Sequence, residues 1–187
     1  MHESSLAVAP SSVTARRTVA VVLGAALVAV AAQISIPLPG TPVPMTLQPL
    51  AVLLVGGALG PALGASSMIL YLALGATGLP VFTPYGVPGL ARLLGPTGGY
   101  LLAYPVAAFA VGKLAGDGRQ LGALALAVFV GLVLIHLGGV AQLLILTGSA
   151  SLALRVGTVP FVVGDLSKLA IAVLILKPIV SPLRARL

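Results

Sequence analysis

An acidic and a basic residue stand together in an apolar stretch near the end of the chain. Asp165 and Lys168 lie three residues apart in the apolar run 160–176, and this spacing places both side chains on one face of a helix. Charges at membrane depth are costly and normally face the interior of a bundle or a cavity. The pair is therefore either an internal ion pair that neutralises itself or part of a ligand site. We favour a site in which Asp165 accepts hydrogen bonds from a donor-rich group and Lys168 stabilises an anionic one.

A second cation and a glycine-rich turn are expected near this pair. Arg92 stands in a loop just before Gly95-Pro96-Thr97-Gly98-Gly99-Tyr100. Glycines let backbone N–H groups approach a ligand closely, and the N-terminus of a helix favours anions. Taken alone, Arg92 is typical of a lipid-headgroup anchor, and the turn is typical of the end of a span. Asp165 lies one to two turns below the end of its own helix, so we expect all of these groups to meet near the outer leaflet.

Motifs for catalysis, nucleotide binding and metal binding are missing from the sequence. Gly112 and Lys113 are followed by Leu114, so the phosphate-loop pattern G-x-x-x-x-G-K-[ST] is absent. No G-x-S-x-G turn supplies a nucleophile. His136 has no second histidine near it in sequence, and we expect it to hydrogen-bond within the bundle. We therefore predict no catalytic residue, no metal site, no cofactor, and a protein that is not an enzyme.

The composition excludes a soluble domain and predicts an all-α membrane protein. Of the 187 residues, 59% are hydrophobic and only 7% are charged, whereas a soluble domain carries roughly 25% charged residues. The chain lacks the polar surface needed in water, so the lipid bilayer must be its solvent. The net charge of +7 comes from Lys and Arg spread singly between apolar runs. That distribution excludes nucleic acid as a partner, because no basic groove with interleaved aromatic residues is present.

Apolar runs between loops rich in proline and glycine predict six transmembrane helices. We predict a disordered cytoplasmic tail over 1–18, a six-helix domain over 19–178 and a cytoplasmic tail over 179–187. The second and third runs are short and could instead form a re-entrant hairpin, and the first resembles a cleavable signal peptide, although we prefer a retained span. The predicted spans are 18–36, 45–60, 61–78, 97–113, 121–146 and 160–176.

The basic residues predict the orientation in the cytoplasmic membrane. Lys and Arg are enriched in cytoplasmic loops. With six spans, Arg92 and Arg155 fall on one side, and seven basic residues fall on the side of the termini: Arg16, Arg17, Lys113, Arg119, Lys177, Arg184 and Arg186. Both termini should therefore be cytoplasmic. Loops 36–44, 79–95 and 147–159 should face outward.

The first span carries a stripe of small residues. Ala25, Ala29 and Ala32 recur at helical spacing, and such stripes let helices approach closely in lipid. Two interpretations are equally open: packing within the same bundle, or a docking face for another membrane protein.

Several spaced motifs resemble the BioY family, the biotin-binding substrate-specificity (S) components of energy-coupling-factor (ECF) transporters. The resemblance covers nearly the whole chain after residue 18. It rests on ISIPLP at 34–39, PVPMTLQ at 42–48, LGP at 59–61, Tyr71, GLPVF at 78–82, GPTGGY at 95–100 and PFVVGDLSK at 160–168.

The resemblance implies a six-helix S component that captures biotin from outside. Asp165 and Lys168 match the polar pair on the last helix of the family, and Arg92, Thr97, Gly98, Gly99 and Tyr100 match the loop and turn near the ligand. The chemistry of biotin suggests that Asp165 accepts from the ureido N–H groups and that Arg92 or Lys168 lies near the carboxylate. The rings of Phe82, Tyr85 or Tyr100 would pack on the bicycle.

The resemblance also implies partners. S components work with a transmembrane coupling (T) protein and two cytoplasmic ATPases, and Ala25, Ala29 and Ala32 match a contact face on the first helix of the family. Other interpretations stay open: a self-sufficient secondary carrier for biotin or a related small carboxylate, with Asp165 or His136 relaying protons, a homo-oligomer, or a membrane assembly protein without a ligand.

Overall fold

The protein is a bundle of apolar helices with one short hairpin. The computed structural model describes residues 10–187, and the side chains from residue 13 onward. The described helices are α1 Pro10–Gln33, α2 Gln48–Leu59, α3 Pro61–Ala76, α4 Leu90–Leu94, α5 Gly98–Leu114, α6 Leu121–Thr147, α7 Ala150–Gly157 and α8 Val162–Arg184. Strands β1 Ser35–Ile36 and β2 Met45–Thr46 pair antiparallel, with Ser35 opposite Thr46. A short 3₁₀ turn, Val159–Phe161, joins α7 to α8.

The predicted all-helical membrane fold is confirmed. Among residues 10–187, three helical stretches are long and apolar enough to cross a membrane: Val13–Gln33, Leu121–Thr147 and Ala150–Arg184. The three shorter apolar helices are α2, α3 and α5. At 12 residues, α2 is about 18 Å long, which is less than the ~30 Å thickness of a hydrocarbon core. That the α2–α3 pair makes two complete crossings stays a prediction.

Glycines let α2 and α5 approach closely and so shape the bundle. A Cβ atom at Gly56 would lie 2.5 Å from the carbonyl oxygen of Ala108, and one at Gly112 would lie 2.5 Å from the carbonyl carbon of Gly60. Neither position has room for a side chain, because real Cβ atoms do not come this close to backbone. As in other membrane bundles, small residues at the crossing bring two backbones together. The two helices begin at Gln48 and Gly98.

Several predicted boundaries were wrong in ways that the local structure explains. α1 begins at Pro10, so residues 10–17 of the predicted disordered tail are helical, and residues 1–9 of that tail lie outside the described residues. The loop 147–159 contains α7, whose first turn is capped because Ser149 Oγ accepts from the Leu152 N–H. The loop 79–95 contains α4. α8 continues through Pro178 and Pro182 to Arg184, well past the predicted end at 176.

The small-residue stripe on α1 faces into the bundle. Ala25 and Ala32 are 2% and 0% exposed, and the partly buried Ala29 packs against the same core cluster. In this structure the stripe is therefore an internal packing face, mainly against α3. A docking role of the stripe for another membrane protein stays a prediction.

Candidate functional site: a cavity with two charged ends

A cavity lies where α2, α5 and α8 begin, and we call this the cavity end of the bundle. The empty space between its walls, including the part open to solvent, measures about 600 Å³. Elements that are distant in sequence close around it. Its lining residues are Val43, Pro44, Thr46, Gln48, Pro49, Phe82, Thr83, Arg92, Thr97, Tyr100, Leu101, Tyr104, Leu132, Ile135, His136, Phe161, Asp165 and Lys168.

One charged group in the cavity is centred on Asp165. Lys168 Nζ donates to Asp165 Oδ1 at 3.0 Å, and His136 Nε2 lies 2.6 Å from Asp165 Oδ2. The side chains of Asp165 and Lys168 are 12% and 8% exposed. Each carboxylate oxygen can accept more than one hydrogen bond, so Asp165 keeps acceptor capacity for a ligand. The predicted pair is present, and it has a third member on α6.

The second charged group is Arg92. Its guanidinium donates to Thr83 Oγ1 at 3.1 Å and to the Thr83 carbonyl at 2.9 Å, and its Nε donates to the Val87 carbonyl at 2.9 Å. Burial lowers the pKa of Arg92 from its ordinary value. Three of its five N–H donors are thus used to hold the loop before α4, and the other donors stay available to a ligand. Arg92 is a buried cation in the cavity wall, not an exposed headgroup anchor.

Aromatic rings form the cavity wall. Phe82 packs edge-on against Tyr71 at 5.4 Å between ring centroids, and Tyr71 stacks on Tyr104 at 6.5 Å. Gln48 Nε2 donates to the Tyr71 hydroxyl at 2.6 Å, which fixes a polar amide at the edge of this ring cluster. Such rigid rings suit a flat, partly apolar ligand.

Some residues of the glycine-rich turn line the cavity, and others pack α5 against its neighbouring helices. Thr97 and Tyr100 line the cavity, and the Tyr100 hydroxyl donates to the Gly157 carbonyl at 2.6 Å. Gly98 and Gly99 do not line it. A Cβ atom at Gly98 would meet Leu93 and Gln142, and one at Gly99 would meet Gly138 and Gln142. Their place in the structure is therefore a close contact of α5 with α4 and α6. Tyr85 is 49% exposed and lies outside the lining.

Sequence reasoning missed several lining residues. His136 was expected to hydrogen-bond within the bundle, and this is confirmed, but its place in the cavity was not predicted. The rule that intramembrane ionisable residues face a cavity applies to His136 as it does to Asp165. Nothing in the sequence marked Gln48 and Tyr104 as cavity-lining residues, apart from the polar atom that each carries within an apolar run. Within residues 10–187, no group of three or more His, Cys, Asp or Glu side chains is arranged to hold a metal ion.

Comparison with known proteins decides the family. The family model described as "BioY family" matches residues 4–185. The chain belongs to the BioY family. BioY relatives include the probable biotin transporter BioY of Pyrococcus horikoshii, which is 44% identical over 155 residues, covering 83% of this chain and 90% of the relative. The biotin transporter BioY of Thermotoga maritima is 42% identical over 150 residues, covering 80% and 87%.

A solved structure supports the same BioY assignment. The chain superimposes with a TM-score of 0.80 on a 2.1 Å crystal structure of the S component for biotin from an ECF-type ABC transporter. The two chains are 29% identical, and the match covers 88% of this chain and 90% of the other. The predicted S-component-like bundle and the resemblance to BioY are confirmed.

Proposed function

We propose that this protein captures biotin in the cavity and is the S component of an ECF-type biotin transporter. One observation carries the proposal. Asp165 and Arg92 are far apart in sequence, yet both line one cavity together with aromatic and apolar side chains. Biotin combines a ureido ring that donates hydrogen bonds, an apolar bicycle and a carboxylate. The relatives named as biotin transporters, and the S component for biotin, favour this ligand.

The donor and acceptor inventory suggests how biotin lies in the cavity. Asp165 is an acceptor, so it suits the ureido N–H groups. Lys168 already donates to Asp165, whereas Arg92 keeps free guanidinium donors, so the carboxylate is assigned to Arg92. Phe82 and Tyr100 flank the bicycle, and Thr97 supplies a further hydroxyl to the lining. Gly98 and Gly99 act by packing α5 against its neighbours.

Transport needs partners and an orientation. In this proposal the protein lies in the cytoplasmic membrane with both termini in the cytoplasm, so that the cavity end faces outward. A T protein and two cytoplasmic ATPases supply the energy, because the chain has no phosphate loop of its own. Docking of the T protein on Ala25, Ala29 and Ala32 would require α1 to move, because the bundle covers this stripe in the structure.

Isothermal titration with biotin tests the ligand assignment. We expect tight binding by the detergent-purified wild type and a loss of at least about 100-fold in affinity for Asp165→Asn, because a charged acceptor is removed and buried Lys168 loses its charged partner. Asp117→Asn is the matched control, since Asp117 is exposed and pairs only with exposed Arg119. A well-folded wild type that does not bind biotin would contradict the proposal.

A self-sufficient secondary carrier is the second candidate. The 2.6 Å contact between His136 and Asp165 favours it, because such pairs occur in proton relays of transporters. Uptake of labelled biotin into proteoliposomes distinguishes a secondary carrier from an S component. Uptake driven by a pH gradient without ATPase partners would support the carrier, and uptake only with the T protein and ATPases would support the S component.

A further inference from the structure

A groove between α6, α7 and α8 lies on the lipid-facing side of the bundle. Its empty space, including the part open to the surroundings, measures about 850 Å³. Side chains within 129–140 of α6 and 162–169 of α8 form its two long walls, and all of its lining residues are apolar except His136, Thr158 and Asp165. Phe129, Leu137 and Leu166 on these walls are exposed. Because α6 and α8 are membrane-spanning helices, the groove opens to hydrocarbon.

The two ionisable side chains in the lining do not make the groove a polar site. Asp165 accepts from Lys168 at 3.0 Å and lies 2.6 Å from His136 Nε2, so its charge is matched by its neighbours. The groove therefore presents no uncompensated carboxylate to hydrocarbon, where one would be costly. An apolar chain suits such a lining better than a polar ligand does.

The length of the groove matches one leaflet of a bilayer. It begins where α7 meets α6, since a Cβ atom at Gly157 would lie 3.5 Å from Val140 Cγ2, and Phe129 is the farthest lining residue from this point on α6. At ~1.5 Å per residue, the distance from Val140 to Phe129 is about 16 Å. A leaflet is about half of the ~30 Å hydrocarbon core. One acyl chain from the leaflet at the cavity end would therefore fill the groove.

A cation and a hydroxyl lie at the end of the groove nearest the membrane surface. α8 has 23 residues, enough to cross the core at about 20 residues per span, so the preceding α7 is left at the surface. Leu154 and Thr158 line the groove, and exposed Arg155 stands three residues before Thr158, the spacing of neighbours on a helix face. Among the described side chains, the Arg155 guanidinium and the Thr158 hydroxyl have no hydrogen-bond or ion-pair partner.

The charge of Arg155 is uncompensated within the part of the chain that the structure describes. The acidic side chains there are Asp117, which pairs with Arg119, and Asp165, which pairs with Lys168 and His136. A guanidinium suits a phosphate because of its forked donors. A headgroup with a net negative charge complements this arginine better than a zwitterionic one, whose own cation competes for the phosphate.

We propose that the groove binds one acyl chain of an anionic phospholipid, whose phosphate accepts from Arg155 and Thr158. The site does not depend on which ligand the cavity binds. Leu132, His136 and Asp165 line both the groove and the cavity, so the bound chain packs against the outer side of the cavity wall. A helix of a second copy of the protein is the competing occupant.

Fluorescence quenching by brominated lipids tests the site. The chain has no tryptophan, so Phe129→Trp introduces a single indole into the groove. Phe109→Trp is the matched control, because Phe109 on α5 is 45% exposed against 54% for Phe129, and α5 meets α6 at this depth, where a Cβ atom at Gly131 would meet Val111. Each protein is placed in phosphatidylcholine vesicles that contain a small fraction of phosphatidylglycerol or phosphatidylcholine brominated near the end of one chain.

The expected result is a selective effect in the groove. For Phe129→Trp we expect the brominated phosphatidylglycerol to associate about fivefold more strongly than the brominated phosphatidylcholine, as for one basic residue beside an anionic lipid, and for Phe109→Trp less than about twofold. Adding Arg155→Gln to Phe129→Trp should abolish the preference. Adding Arg186→Gln, which removes an exposed charge near the C-terminus, should leave it unchanged.

Three results would overturn the proposal: equal quenching of Phe129→Trp by both lipids, a preference that survives Arg155→Gln, or no quenching by either lipid, which would mean that protein fills the groove. Native mass spectrometry of the wild type, released from nanodiscs of mixed phosphatidylglycerol and phosphatidylcholine, checks the site without a tryptophan. We expect the wild type to retain phosphatidylglycerol and Arg155→Gln to lose it. A wild type that retains no lipid, or both lipids equally, would contradict the site.

Discussion

Two arginines at opposite ends of the bundle, Arg92 buried and Arg184 half-buried, have different surroundings. Arg184, near the end of α8, donates to the carbonyls of Gly57, Gly112 and Gly116 and so joins α8 to α2, α5 and the turn after α5. Arg92 lines the cavity and uses only part of its donors on its own loop. A cation whose terminal nitrogens bond backbone carbonyls of neighbouring helices stabilises the fold, whereas one that lines a cavity keeps donors for a ligand. The groups that an arginine contacts therefore distinguish a structural arginine from one that can bind a ligand.

A crossed pair of substitutions should separate these two roles with the largest effects. We expect Arg92→Lys to weaken biotin binding by about 10–100-fold, because a lysine loses the forked donor geometry that suits a carboxylate. Tm should also fall, because Arg92 donates to Thr83 and Val87. Arg184→Lys should lower Tm and leave biotin affinity within about threefold. Titration calorimetry and thermal unfolding in the same detergent measure both. If Arg184→Lys lost binding at constant Tm, the comparison would fail.

The stability of the protein should depend on the glycines at which α2 and α5 approach each other. A methyl group at Gly112 would meet the backbone of Gly60 and Pro61, so Gly112→Ala should destabilise the protein by about 1–3 kcal/mol through overpacking. Gly122 lies in α6 with nothing within 4 Å of its Cβ position, and Gly122→Ala should be neutral or slightly stabilising. Equal Tm values for the two variants would contradict the close approach of α2 and α5.

The smallest expected effect concerns the aromatic wall. Phe82 is 5% exposed and Phe129 is 54% exposed, and only Phe82 lines the cavity. Phe82→Leu should weaken biotin binding by about 3–10-fold, as expected for the loss of one ring contact. Phe129→Leu, on the lipid-facing side, should leave the Kd unchanged. A larger loss at Phe129 would indicate that the groove between α6, α7 and α8 is the ligand site.

The comparison also shows what the sequence could and could not predict. Composition and apolar runs predicted the helical bundle, and the cost of a membrane charge predicted that Asp165 and Lys168 face inward. The orientation of the α1 stripe was not predictable, because Ala25 and Ala32 pack equally well against α3 or against a partner. The separation of Gly98 and Gly99 from the cavity depends on how α5 meets α4 and α6, which no local pattern specifies.

The central claim is that biotin spans the cavity between Asp165 and Arg92, and a crystal structure of the protein grown with biotin tests it most directly. We predict the ureido nitrogens within about 2.7–3.2 Å of the Asp165 carboxylate and the biotin carboxylate at the Arg92 guanidinium. Biotin bound with its carboxylate at Asp165 and Lys168, or in the groove between α6, α7 and α8, would contradict the account.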